Sequence, residues 1–236
     1  MTDRSKAAPS ATSLFLATKP KPVRDARQAQ AFADLPDLRA PRRTERDTLD
    51  YDPTPPEASR AFLAAEAPRI RQIGGAVWEP AAGGGHMVSP LIEYGFSVVA
   101  SDIVDRGCPD VILRGFYDYD EAPSPIIITN PPYCEINARD GHGRWLRHAI
   151  SLPGVRYVAF LLNWDWPAAR KNGLDELLAA HPISRAYLCR WKSDFRGGGA
   201  PPQRNGWFVW DADHTGETVM RFLDRNGDER QGGFDL

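Results

Sequence analysis

Cysteine is scarce in the 236-residue sequence: Cys108, Cys134 and Cys189 stand far apart and form no Cys-x-x-Cys pair. Neither a disulfide framework nor a zinc site is expected, and a reducing cytoplasm is the simplest setting. Long apolar runs are missing as well. Nothing approaches the ~18 consecutive apolar residues of a membrane span, and Leu14-Phe15-Leu16 is too short for a secretory signal core. His86, His142, His148, His181 and His214 share no metal-ligand spacing, so no metal is expected. Neither Gly-x-Gly-x-x-Gly nor Gly-Lys-Ser/Thr occurs, which argues against a dinucleotide or P-loop site. The formal charge of −2 excludes a uniformly basic nucleic-acid coat.

What is present is ordinary for a globular chain: 42% hydrophobic and 25% charged residues, enough for one domain with a full core. Charge is unevenly spread. Residues 1–46 hold ten Lys/Arg against five Asp/Glu, net +5, and the remainder is net −7. The chain divides into a basic, mobile arm over 1–47 and a folded domain over 48–236. The arm reads equally as a solvated tail or as a phosphate-contacting segment.

From about Asp50 onward strand and helix patterns alternate. Pro55-Pro56 open a helix over 57–67, where Ala61, Phe62, Ala65 and Ile70 make an apolar stripe. Buried strands are predicted at 76–78, 96–100, 126–129 and 157–162, and helices at 87–94, 145–152 and 168–180. Aromatic-rich stretches at 183–191 and 207–210, split by a Gly- and Pro-rich loop, predict an antiparallel pair. Together these predict an α/β fold: a Rossmann-like, doubly wound, mostly parallel sheet with a C-terminal antiparallel hairpin. Ligands in such sheets bind at the carboxyl ends of strands. Three turns fall there, at 79–85, at Asp102 and at 130–133.

Each turn has its own chemistry. Glu79-Pro80-Ala81-Ala82-Gly83-Gly84-Gly85 lets a ligand approach backbone that carries no Cβ, and its leading acid disfavours a pyrophosphate while suiting a cation. Asp102, ending the next strand, can accept hydrogen bonds from both hydroxyls of a ribose. Together they describe an adenosine cofactor with a positive centre. In Asn130-Pro131-Pro132-Tyr133 the prolines fix φ and remove donors. The Asn130 side-chain oxygen and the Pro131 carbonyl can then both accept from one planar –NH2, with Tyr133 stacked on the ring that carries it. Two fixed acceptors stabilise positive charge growing on that nitrogen as it attacks a methyl group.

Through these motifs, and through Tyr51-Asp52-Pro53-Thr54-Pro55 ahead of them, the sequence resembles the S-adenosylmethionine-dependent amino-methyltransferases over about residues 49–211. It is most similar to DNA adenine-N6 methyltransferases of the compact phage and prophage kind, in what looks like their gamma motif order. The resemblance implies a class I methyltransferase fold, S-adenosylmethionine as cofactor and a cytoplasmic enzyme of a bacterium or phage-infected host. It implies that Thr54, near Tyr51, holds the methionine carboxylate, with Glu79, Pro80 and Ala81 through Gly83 to Gly85 around the methionine. Asp102 takes the ribose and Ile103 packs on the cofactor adenine. Asp118 substitutes for an acid usually nearby, because Gly115-Phe116 stands where Asp-Phe is common.

The implied partner is DNA, with no membrane and with a homodimer left open. An adenine in a duplex must be flipped out, at a cost of a few kcal/mol. Tyr133 supplies one stacking face; Trp207 and Phe208 are candidates for the other, against plain strand packing. Lys192, Arg196 and Arg204, and separately Arg144 with Arg139 and Arg147, are candidates for phosphate contacts. Some 100 residues follow Tyr133, too few for a large target-recognition domain. Site choice is therefore assigned to loops, the arm or a second subunit, or is relaxed. Alternatives are cytosine N4, an RNA base, a protein glutamine, or a non-catalytic nucleic-acid-binding module on the same fold.

Overall fold

A computed structural model describes residues 51–137, 141–169, 173–195 and 204–225. The basic segment 1–47, Arg139 and Arg196 lie outside the described residues.

The strands are β1 (Val77–Glu79), β2 (Val98–Asp102), β3 (Ile112–Leu113), β4 (Ile126–Thr129), β5 (Tyr157–Asn163), β6 (Arg185–Cys189), β7 (Asn205–Asp211) and β8 (Val219–Leu223). They form one sheet in the order β3-β2-β1-β4-β5-β7-β6-β8. Pairing is parallel from β3 through β5, antiparallel on both sides of β7, and parallel again between β6 and β8. The fold is mixed α/β with a partly parallel sheet. The expected antiparallel β6–β7 pair is present, with β7 wedged between β5 and β6. Neither β3 nor the edge strand β8 was expected.

The helices are α1 (Pro56–Ile73), α2 (Val88–Glu93), α3 (Tyr133–Ile136), α4 (Arg144–Ser151) and α5 (Leu174–Ala180). Pro56 starts α1 from the extended Pro55, where a missing N–H costs nothing. Gly74, at φ +75°, ends it by donating to the Ile70 carbonyl. The single helix expected over 168–180 is instead a 3-10 turn, Trp166–Ala168, followed by α5.

Continuous apolar strands need cover on both faces, and they have it. Ile126 and Ile128 face a core with Phe62 and Leu63 of α1 and Leu91 of α2, while Ile127 faces one with Trp145 and Leu146 of α4 and Leu177 of α5. Among the described residues no helix is long and apolar enough to cross a membrane. β1 lies between β2 and β4, so the strand order reverses there and a crevice opens at their carboxyl ends.

The opposite end of the sheet is tied by buried charge. Glu66 of α1 accepts from the Tyr157 hydroxyl at 2.8 Å, from Arg185 at 2.8 and 3.0 Å, and from the Tyr187 hydroxyl. Arg185 also reaches Asp211 at 2.9 Å, and Arg69 forks onto the same carboxylate at 2.7 and 2.8 Å. Burial alone would raise the Asp211 carboxyl, but hydrogen bonds from Arg69 and Arg185 outweigh it and hold it at about 2. Its contribution to stability is present above the ordinary carboxylate range and is lost as pH falls through about 2.

Candidate active site

A cavity of about 910 Å³ opens at the carboxyl ends of β1, β2 and β4. β1 delivers Glu79, 1% exposed, whose Oε1 accepts the Ala81 N–H at 3.0 Å. Burial pushes this carboxyl up to about 8, and the neighbouring Thr129 hydroxyl and the Ala81 N–H only partly oppose it; the nearby Asp102 charge adds to the rise. Stability contributed by this group is therefore fully present below the ordinary glutamate range and is lost as pH rises through about 8.

β2 delivers Asp102. Its Oδ2 accepts the Gly83 N–H at 2.8 Å and its Oδ1 the Val104 N–H at 3.0 Å, which fixes the carboxylate and leaves a lone pair on each oxygen. The glycine turn is shaped by Tyr51, whose ring occupies the space a Cβ on Gly83 would need. Gly83 also holds φ +51° and Gly85 φ +80°, conformations natural to glycine. The Tyr51 hydroxyl accepts the Gly84 N–H at 3.2 Å. Gly83 and Gly85 form the turn without lining the cavity, whereas Pro80, Ala81 and Tyr51 line it.

Ile103, 62% exposed, stands beside Asp102 on the cavity wall and faces Gly115, where a Cβ would come within 3.4 Å of it. Asp118 also lines the cavity, and its Oδ2 accepts the Gly115 N–H at 3.1 Å.

β4 delivers the tetrapeptide. Asn130 Nδ2 donates to Thr54 Oγ1 at 3.1 Å, and Asn130 Oδ1 is buried with no hydrogen-bond partner. Buried amide oxygens normally accept a hydrogen bond, so this one keeps an unused acceptor. Pro131, Pro132 and Tyr133 continue the wall, and Tyr133 opens α3 instead of a loop. Its hydroxyl accepts Asn205 Nδ2 at 3.1 Å. Asn205, at the start of β7, and Asn163, at the end of β5, both line the cavity. The sequence carried no signal for Asn205, since an asparagine after a Pro-rich loop reads as a turn residue.

Two stacking candidates are corrected. Trp207 is fully buried on the α1 face, stacked on Phe62 at 4.2 Å with its indole donating to the Ala58 carbonyl. Phe208 faces the other core, against Trp164 and Trp166. Neither lines the cavity; the β7 residue that does stands two positions before Trp207.

The basic candidates divide. Lys192 and Arg204 are exposed and do not line the cavity, and Arg204 donates to the Arg190 carbonyl at 3.0 Å. Arg144, 55% exposed, pairs at 3.0 Å with Glu135, a lining residue that also accepts the Tyr117 hydroxyl at 2.8 Å. Burial, with Glu135 beside it, holds the Tyr117 hydroxyl above its ordinary value, so it stays a donor. Among the described residues no three His, Cys, Asp or Glu side chains converge as metal ligands.

No protein-family model matches the chain, and no curated protein matches its sequence. Solved structures match its fold. A putative class I S-adenosylmethionine-dependent methyltransferase from Listeria monocytogenes matches with a TM-score of 0.53 at 14% identity, over 72% of this chain and 65% of that one. A putative RNA methyltransferase from Pyrococcus horikoshii matches with a TM-score of 0.55 at 15% identity, over 80% of this chain and 98% of that one. The ATP-dependent Type ISP restriction-modification enzyme LlaBIII, solved bound to DNA, matches with a TM-score of 0.51 at 13% identity, over 77% of this chain and 20% of that one. This chain thus spans about two thirds of the Listeria protein and a fifth of the restriction-modification enzyme. It shares with the first two a class I methyltransferase-like arrangement of a partly parallel sheet and helices.

Proposed function

We propose that the protein transfers a methyl group from S-adenosylmethionine to the N6 amine of an adenine flipped out of DNA. The observation that carries this reading is the buried, unpartnered Oδ1 of Asn130, a residue whose Nδ2 is held by Thr54 and which lines the same cavity as Glu79 and Asp102. In this reading the sheet is a doubly wound, Rossmann-like one, with the cofactor at the β1–β4 reversal.

The residues present fit the cofactor. The desolvated Glu79 suits its ammonium group, the two remaining lone pairs of Asp102 suit the ribose diol, and Ile103 offers a flat apolar wall for the adenine, with Asp118 beside it. Bound S-adenosylmethionine supplies a methyl group on a positively charged sulfur that leaves as a neutral thioether. Asn130 Oδ1 and the Pro131 carbonyl accept the two N–H bonds of the target amine, and Tyr133 stacks on its ring. As the amine attacks, these acceptors stabilise the charge growing on nitrogen; no base is needed beforehand, and the extra proton on the methylated nitrogen passes to solvent water after the transfer. DNA phosphates remain outside the acidic cavity, with Arg144 at its rim and the basic segment 1–47 as contacts.

Glu79 makes the reading testable by proton counting. Below about pH 8 its carboxyl is mostly protonated in the free protein, and a ligand ammonium beside it favours the carboxylate. Binding at about pH 7 should release close to one proton per ligand. Titration calorimetry in buffers of different ionisation heat reads this directly, and Glu79→Gln should release none; buffer-independent heats in the wild type would contradict the assignment.

The product decides the target. Incubation with methyl-labelled S-adenosylmethionine and unmethylated DNA or RNA, followed by nucleoside mass spectrometry, should yield N6-methyladenine in DNA. N4-methylcytosine, or label confined to RNA, would overturn the adenine-in-DNA reading.

A further inference from the structure

The cavity wall is acidic. Asp52, Glu79, Asp102, Asp118, Glu135 and Asp194 line it, and Arg106 is the single arginine or lysine among the described residues that does. Such a wall attracts a sulfonium and an ammonium but repels the carboxylate of a bound amino acid unless a cation meets it. Thr54, to which the resemblance assigns that carboxylate, is 7% exposed, and its Oγ1 accepts from Asn130. A neutral hydroxyl engaged with the Asn130 amide is poorly suited to hold a carboxylate against such a wall.

Arg106 is placed to do so. It lies in the segment after Asp102, with its guanidinium 4.3 Å from the centre of the Tyr51 ring. Tyr51 in turn covers the glycine turn and accepts from Gly84. This sets the guanidinium beside Tyr51 and the turn that follows Glu79, the residue that the reading above gives to the cofactor's ammonium. A planar guanidinium presents paired N–H donors matched to a carboxylate, and the aromatic face beneath orients the fork.

We propose that Arg106 binds the carboxylate of the cofactor's amino-acid moiety. This rests on the S-adenosylmethionine reading above. The test is calorimetric titration of the full chain with two ligands: S-adenosylhomocysteine, and 5′-methylthioadenosine, which keeps the adenosine and thioether but lacks the amino-acid group. Arg106→Gln should weaken S-adenosylhomocysteine about ten- to a hundred-fold, the range of a lost charge-assisted bond, and leave methylthioadenosine within about twofold. Arg106→Lys, which keeps the charge and most of the stem, should show a smaller loss of the same pattern, so the result does not hang on one variant folding. Equal weakening of both ligands would mean that Arg106 only steadies Tyr51 and would overturn the proposal, as would no weakening of either. Failure of the wild type to bind either ligand would instead sink the methyltransferase reading itself.

Discussion

Replacing Asn130 with alanine should lower turnover by about two to three orders of magnitude while S-adenosylmethionine affinity stays within a few-fold of wild type. The size follows from comparably placed groups in other enzymes, where loss of one hydrogen-bonding partner of a developing charge costs roughly 2.7–4 kcal/mol. The selectivity follows from geometry. Asn130 lines the cavity, its Nδ2 is occupied by Thr54, and its Oδ1 is buried without a partner, so the side chain is pinned with one acceptor unused. Alanine removes that acceptor without disturbing Glu79 or Asp102, which hold their own backbone contacts. Single-turnover methylation with calorimetric cofactor binding separates the two effects. Near-normal turnover with intact binding would remove Asn130 from the chemistry.

The second large effect concerns stability, at the far end of the sheet. Glu66→Ala should destabilise the fold by about 3–5 kcal/mol, the usual cost of removing one partner from a buried ion pair. Three donors from three strand positions, Tyr157, Arg185 and Tyr187, converge on that carboxylate, and all three would lose an acceptor where water has poor access. For a domain of this size the melting temperature should fall by roughly 6–20 °C. Glu66→Gln keeps one oxygen and the side-chain volume and should lose less. Thermal melts at about pH 7 read both, and an alanine variant melting within about 2 °C of wild type would show the network to be dispensable.

Much of the site was legible because its chemistry sits at strand ends, where a buried apolar run stops abruptly. Glu79, Asp102 and Asn130 each follow such a run, and each lies on the cavity. What stayed hidden has physical reasons. All seven residues of β7 are buried, since the strand is central and covered on both faces, so its sequence has no alternation to say which face each ring meets. Trp207 and Phe208 therefore read alike, although each belongs to a different core. β3 spans two residues and all but Leu223 of β8 is exposed, so neither shows a strand's pattern. Arg106 was invisible because its meaning depends on which acids surround it, and those come from six separate parts of the chain.

Two of the bonds that build the cavity wall join distant parts of the polypeptide: Asn130 to Thr54 across 76 positions, and Asn205 to Tyr133 across 72. Closing loops of that length carries an entropic cost that comes before the contacts reward it, and non-local contacts of this kind slow folding. A chain emerging from the ribosome thus carries the tetrapeptide long before β7 arrives to anchor its tyrosine. Ligand competence should appear only in the last folding phase, so refolding followed by cofactor binding should lag behind refolding followed by secondary structure.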